Sequence, residues 1–393
     1  MTATSASGPL AGVRVVELAS FIAGPYAGQL LADLGADVVK VEAPDGGDPF
    51  RSFAGGAYSP HFIAYNRNKR SVLLDLRDDA GREAVRRLVS RADVLVENSR
   101  PGVMARLGLG YDAVREWNDR IVYCSVSGFG QGGPDAQRPV YDTVGQALGG
   151  LLGQTLDRDH PQVVGPAMAD GIAGLTAAYA VLAALHARER SGVGQQVDVS
   201  MFAAVAAFLG SEASMWHRTG DPGGPRRRPS ISQSYALGCA DGRVMTLHLS
   251  SPAKFWRGLV AAVGRPELAE DPRFATRAAR IEHFEELHEV LAEEFVRRSS
   301  SDWQRVLTQH DVPHARVNTI AEVFQEPQAR HLGLELSLAH PSEGDVVTVA
   351  PPVRFSGTPW AGLAAPPLLG QDTDDVLAEL GLLHRTGTLR ETS

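Results

Sequence analysis

The first third of the chain alternates short β-branched runs with helix-forming stretches, and that alternation constrains the fold more than any other feature. Val13 to Leu18, Val38 to Glu42, Ser71 to Leu74, Ala92 to Val96 and Ile121 to Val126 read as strands. Between them, the apolar spacing predicts helices from Gly24-Pro25 to Leu34, over Asp78 to Val89, and near Val103 to Trp117. Near-continuous apolar strands separated by helices mean a largely parallel sheet covered on both faces. Such sheets place ligands at the carboxyl ends of their strands. The turns after Leu18, Glu42, Glu97 and Val126 are therefore the places to look for chemistry.

Beyond this region, Gly171 to Ala187 reads as a helix with few polar interruptions, and Val197 to Leu209 as another buried element. A turn-rich junction at Thr219 to Pro225, then Arg226, Arg227 and Arg228, separates them from a smaller α+β region. There, Tyr235 to Cys239, Asp241-Gly242 and Val244 to Leu249 spell a β-hairpin. Phe255 to Val263, Phe284 to Val296 and Asp302 to Thr308 read as helices. The expected organisation is a large domain at 1–218, a small one at 219–330, and a C-terminal segment at 331–393. Thr373 to Leu380 reads as a short amphipathic helix, and the last dozen residues, which are polar, as frayed.

Composition narrows the function. With 46 acidic against 38 basic residues the formal net charge is -8, which disfavours nucleic acid as a partner but leaves room for a local cationic cleft. Two cysteines, Cys124 and Cys239, cannot make a disulfide scaffold and fit a reducing compartment. The longest apolar run, Ile172 to Leu185, is short for a bilayer, and Met1 to Pro9 lacks the pattern of a secretory leader. A cytoplasmic enzyme with no membrane association is the expectation.

Gly24-Pro25-Tyr26-Ala27-Gly28 lacks dinucleotide-fingerprint spacing, and no phosphate loop ending in Lys-Ser/Thr occurs. His310 and His314 enclose Pro313, so a helical metal pair is excluded and no metal is expected; no nucleophile-elbow motif is present either. Basic residues collect at Asn66-Arg67-Asn68-Lys69-Arg70 and around Asn98-Ser99-Arg100, with Lys40 near the end of a strand. These are either an ordinary solvated face or anion ligands, the second being favoured for Arg100 by its strand-to-helix turn. Asp170, just before Gly171 and the apolar helix, is either a helix cap or an approachable carboxylate nucleophile. Tyr141, beside Asp142 and after a glycine-rich loop, is either a packing aromatic or an oxyanion donor. Glu17 and Gln29 are buried polar candidates, read as structural.

The chain resembles the family III (CaiB/BaiF) CoA-transferases. The resemblance rests on Leu10 to Leu18, Ala23-Gly-Pro-Tyr26, Leu34 to Glu42, Gly47-Asp-Pro49, Asn66 to Leu76, Glu97 to Gly108, Ser127 to Gln131, Tyr141-Asp142, Ala169-Asp170, Gly192 to Asp198, Asp271 to Phe274, Val312-Pro313 and Leu369 to Thr373. It implies a Rossmann-like large domain with a smaller α+β domain, the segment 331–393 returning to the large domain, in an interlocked homodimer. It also implies CoA transfer from an acyl-CoA to a free carboxylic acid, with CoA a substrate and no permanent cofactor. The family's nucleophilic aspartate matches Asp170, passing through acyl-aspartyl anhydride and aspartyl-CoA thioester intermediates. Tyr141 and the backbone near Gly171 are the oxyanion candidates. By position, Lys40, Asn98, Arg100 and Arg106, with Arg67, Lys69 and Arg70 nearby, are expected around CoA.

The rival within the family is a 2-methylacyl-CoA racemase, which carries a His where this chain has Tyr141. Formyl/oxalyl-CoA transferases carry His-Val-Gln where this chain has Ser20-Phe21-Ile22, and a polyglycine loop not seen here. The apolar replacement points to a larger acid, such as succinate, mesaconate or a methyl-branched relative. A CoA-binding protein with a decayed site and an ATP-dependent ligase are the readings from other classes.

Overall fold

A computed structural model describes residues 7–382 except 57, 251 and 361. Most of the segment expected to fray, 383–393, and the first six residues lie outside it. The chain divides into two compact units: Met1–Leu151, Val164–Gly210 and Arg330–Ser393 form the first, Leu152–Val163 and Ser211–Ala329 the second. Their boundary after Gly210 precedes the junction read at Thr219, and Leu152–Val163 joins the second unit although it is far from it in sequence.

The first unit is built on six parallel strands, β1 (Arg14–Leu18), β2 (Asp37–Glu42), β3 (Lys69–Leu73), β4 (Val94–Glu97), β5 (Val122–Ser127) and β6 (Gln195–Ser200), in the order β3-β2-β1-β4-β5-β6. Every residue of β4 and β5 is buried, as the apolar runs require when helices cover both faces. The order reverses between β1 and β4. At that reversal the turns leaving two adjacent strands diverge and open a crevice at their carboxyl ends.

Two sequence readings change in detail. The stretch near Val103 to Trp117 is two short helices, Val103–Arg106 and Tyr111–Trp117, because Gly108 breaks it with φ +71°. Val197 to Leu209 is not one element: β6 ends at Ser200, whose hydroxyl accepts the Ala203 N–H and starts the helix Met201–Phe208.

The helix expected over Gly171 to Ala187 runs farther, Met168–Ser191. At 24 residues it is long and apolar enough, by length and composition, to cross a membrane, which the shorter run read from sequence is not. Here Ala173, Ala177, Val181 and Ala184 bury one face in the core beneath Val122, Cys124 and Val199. Gly174 makes this possible: a Cβ there would meet the Ala23 carbonyl at 2.9 Å and the Tyr26 ring at 2.9 Å. That close approach seats the helix's second turn against the start of the helix Ala23–Asp33.

The second unit holds an antiparallel sheet of β7 (Ser234–Gly238), β8 (Val244–His248) and β9 (His314–Arg316). Helices Ala253–Val263, Phe284–Phe295 and Ser300–Gln309 bury Trp256, Leu291, Phe295 and Trp303 with it. Cys239 is in this core and Cys124 in that of the first unit, both as free thiols. In the first unit, β10 (Glu335–His340) and β11 (Gly344–Val349) form a hairpin, and the helix Thr373–Glu379 packs on β3.

Candidate active site

The crevice at the strand-order reversal is a cavity of about 230 Å³ lined by Phe21, Ile22, Asn98, Arg100, Arg138, Tyr141 and Asp170, among others. Asp170 is the third residue of the helix Met168–Ser191, near the positive end of its macrodipole. Beside it, a Cβ on Gly171 would meet no atom within 4 Å, and Asp170 itself lines the cavity. Asp142, not Asp170, serves as the helix cap. Its Oδ1 accepts the Ala169 N–H at 2.8 Å and the Asp170 N–H at 3.2 Å, while Gln146 Nε2 donates to Oδ2 at 2.6 Å. The cap reading for Asp170 therefore falls to its neighbour in space, and the Asp170 carboxyl is left for other work.

Burial, and after it the Asp142 charge, push the Asp170 carboxyl up to about 7. A carboxylate that binds its proton this tightly is poorly solvated and correspondingly nucleophilic once ionised. Replacing Asp142 by asparagine should move the Asp170 titration to lower pH by roughly one pH unit, because the like charge disappears while the cap oxygen stays. Gln146 Oε1 has no partner and is buried, so a rotated amide can accept the new N–H. Carboxyl-carbon NMR across pH 4 to 9 reads the midpoint; an unmoved midpoint removes Asp142 as a cause.

Tyr141 is 68% exposed at the cavity mouth, its ring edge-on to Phe21 with centroids 5.9 Å apart. It lines the same cavity as Asp170. The backbone near Gly171 is already engaged: Gly171 N–H donates to the Ala167 carbonyl at 3.2 Å, and the two preceding N–H groups are held by Asp142. That expectation is withdrawn, since a helix's first turn lends its N–H groups to a ligand only where no cap has taken them.

Of the basic residues, Arg100 lines the cavity and is exposed; Arg106 is exposed beside Gly102 and is not part of that lining. Asn98 also lines the cavity, but its amide is spent on the Ser20 backbone, accepting from N–H at 3.0 Å and donating to C=O at 2.7 Å.

Lys40, Arg67, Lys69 and Arg70 do not form a phosphate-facing cluster. Lys40 and Lys69 have no exposed side-chain surface. Lys40 Nζ contacts Glu17 at 2.9 Å, Asp48 at 2.9 Å and the Ala19 carbonyl at 2.7 Å. Lys69 Nζ contacts Glu17, the Pro25 carbonyl and Asn66, each at 2.8 Å. An ammonium has three donors, and all are used. Arg67 is buried against Asp33, with Nε at 2.8 Å, and against the Val349 carbonyl. Arg70 pairs with Glu379 and Asp37 at the amino-terminal edge of the sheet, opposite the crevice. Sequence order put these cations together; strand direction and buried acids took them away.

Arg138, missed in the sequence, lines the cavity and is exposed. Its position just before Pro139 and Tyr141 is the only signal that points to it. In the sequence Asp142 stands out only as a polar neighbour of Tyr141, because a cap contributed across 27 residues leaves no local spacing to read.

Comparison with known proteins gives the family. The family model for CoA-transferase family III matches residues 10–373, and the chain belongs to that family. It is 37% identical to a succinate–glutarate CoA-transferase of Agrobacterium fabrum over 97% of this chain and 98% of that protein. It is 36% identical to a succinyl-CoA–D-citramalate CoA-transferase of Chloroflexus aurantiacus over 95% and 94%. A crystal structure of a CaiB/BaiF family protein from Brucella suis superposes with a TM-score of 0.84 at 36% identity, covering 95% of this chain and all of that one. The protein is a CoA-transferase, moving CoA between an acyl-CoA and a carboxylate.

Proposed function

We propose that Asp170 is the nucleophile and that the acids exchanged are dicarboxylates. The reading is carried by one observation: a proton-retaining carboxyl, freed from capping by Asp142, borders a cavity that also holds Arg100, Arg138 and Tyr141. An Asp170 carboxylate oxygen attacks the thioester carbonyl; the C–S bond breaks and CoA leaves as thiolate, giving a mixed anhydride. The thiolate then attacks the aspartyl carbonyl, releasing the donor acid and forming an aspartyl-CoA thioester. The acceptor carboxylate attacks that thioester, and the returning thiolate cleaves the second anhydride at the acceptor's carbonyl. New acyl-CoA leaves and the Asp170 carboxylate is restored. Each step exchanges neighbours of similar leaving ability, which is how covalent catalysis divides a hard exchange. Tyr141 donates to the oxyanion of each tetrahedral intermediate.

Arg100 serves the CoA phosphates, and Arg138, whose ion pair with Asp135 is loose at 3.8 Å, takes the distal carboxylate of a diacid. The dicarboxylate assignment draws support from the acids named in the two relatives and from the apolar Phe21 and Ile22 beside those arginines. The test is to mix the protein with succinyl-CoA and a panel of mono- and dicarboxylic acids, without ATP, and weigh the products. New acyl-CoA only from monocarboxylates would defeat the diacid reading. Arg100→Ala should weaken CoA binding roughly 10- to 100-fold, the worth of a charge-assisted hydrogen bond; an unchanged Kd rejects its role.

The assembly we propose is the family's interlocked homodimer, in the cytoplasm. Its support is that Leu175 and Tyr179, on the helix Met168–Ser191, are 52% and 65% exposed, and that both cysteines are unpaired. A monomer mass by sedimentation would overturn the dimer, and recovery in a membrane or secreted fraction would overturn the compartment.

A further inference from the structure

The turn between β1 and the helix Ala23–Asp33 is held by side chains at three consecutive residues. Lys40 Nζ donates to the Ala19 carbonyl at 2.7 Å. Asn98 takes both the N–H and the C=O of Ser20. Asp48 Oδ1 accepts the Phe21 N–H at 3.1 Å, and also the Phe50 N–H at 3.0 Å, while its Oδ2 meets Lys40 Nζ at 2.9 Å. Lys40 is completely buried and Asp48 is 2% exposed, so neither reaches the cavity. Asp48 enters this position because Gly47 precedes it: a Cβ on Gly47 would sit 2.5 Å from Glu42 Oε2, at φ +70°.

What the turn holds in place is unusual. Phe21 has φ +67°, the left-handed region that a bulky residue adopts only when its surroundings enforce it. In that conformation its ring stands edge-on to Phe50 at 5.4 Å and to Tyr141 at 5.9 Å, and it lines the cavity that Asp170 borders. Relaxation of φ to the ordinary region would swing the ring off Tyr141.

We infer that Asp48, with Lys40 and Asn98, is a positioning element that locks Phe21 as a wall of the acyl cavity, so that selectivity among acids depends on buried groups that act through the turn. Lys40 and Asp48 are then positioning residues, not CoA ligands. The inference rests on the placement of the acyl group beside Asp170, and its test reads separately from that placement.

The test is a double-mutant cycle on selectivity. Asp48→Asn, Phe21→Ala and the double variant are compared by the ratio of kcat/KM for a four-carbon against a five-carbon diacid acceptor, with succinyl-CoA analogues as donor. If Asp48 acts through Phe21, Asp48→Asn changes that ratio by roughly fivefold in the parent and by less than about twofold in the Phe21→Ala background. An equal change in both backgrounds overturns the inference, as does no change in the parent. A destabilised fold lowers the yield of active enzyme for both acids alike and leaves the ratio untouched. If Asp48→Asn does not accumulate, Asn98→Ala, at a half-buried site, releases Ser20 in the same turn and is read in the same cycle. Mass analysis of the Asp170 peptide after incubation with acyl-CoA keeps the outcomes apart. Coupling without covalent mass sinks the nucleophile assignment alone; covalent mass without coupling sinks the positioning role alone.

Discussion

Asp170→Asn is expected to lower transfer by about a thousandfold or more, because an amide cannot form the anhydride on which every later step depends. The fold should survive, and at alkaline pH it should gain stability. The sign follows from the raised titration. Below about pH 4 the carboxyl is protonated whether folded or unfolded, and contributes nothing. Between there and about 7 the folded protein holds a proton that the unfolded chain has lost, so stability falls as pH rises. Above that range the full penalty of a poorly solvated carboxylate is present. A carboxyl lining an open cavity is partly screened by water, which reduces the penalty to about 1–2 kcal/mol. Thermal unfolding should therefore show the variant more stable than the parent at pH 8, with the gap closing towards pH 4. Hydroxylamine trapping after acyl-CoA is the companion measurement: adduct mass on the Asp170 peptide of the parent and none on the variant. Near-normal turnover by the variant would end the covalent mechanism.

The second large effect is structural. Glu17→Ala should destabilise the first unit by about 3–5 kcal/mol, the usual result of leaving a buried charge without its partner. Glu17 is fully buried and shared by Lys40 at 2.9 Å and Lys69 at 2.8 Å. Without it Lys40 retains Asp48, but Lys69 keeps only the Pro25 carbonyl and the Asn66 amide oxygen. Gly28→Ala should act on the same group, since its Cβ would lie 1.9 Å from Glu17 Oε2. Urea unfolding measures both; a loss under about 1 kcal/mol for Glu17→Ala would show that the cluster tolerates an unpaired ammonium. Because β1 and β2 carry this cluster straight into the turn at Ala19, the same change should disturb the cavity wall.

A similar logic separates the expected site residues that reach the cavity from those that do not. Arg100 and Asp170 lie at element ends on the carboxyl side of the sheet, so strand direction alone carried them to the crevice. Lys40 is the fourth residue of β2, where side chains point into packed layers, and only an acid from another strand can explain a lysine there. Arg67, Lys69 and Arg70 precede or begin β3, and in a parallel strand the beginning lies at the edge away from ligands.

The sequence by itself determined the parallel sheet, its order of elements and the family, because apolar periodicity and short motifs are local and read along the chain. It also marked Asp170, through a carboxylate set against glycine at the head of an apolar helix. Only the tertiary structure decided which charges face the ligand and which neutralise each other. It gave the cap to Asp142, hid Lys40 and Lys69 around Glu17, brought Arg138 to the cavity and forced Phe21 into left-handed backbone. Those outcomes turn on contacts between residues tens of positions apart, whose burial and direction no local pattern encodes.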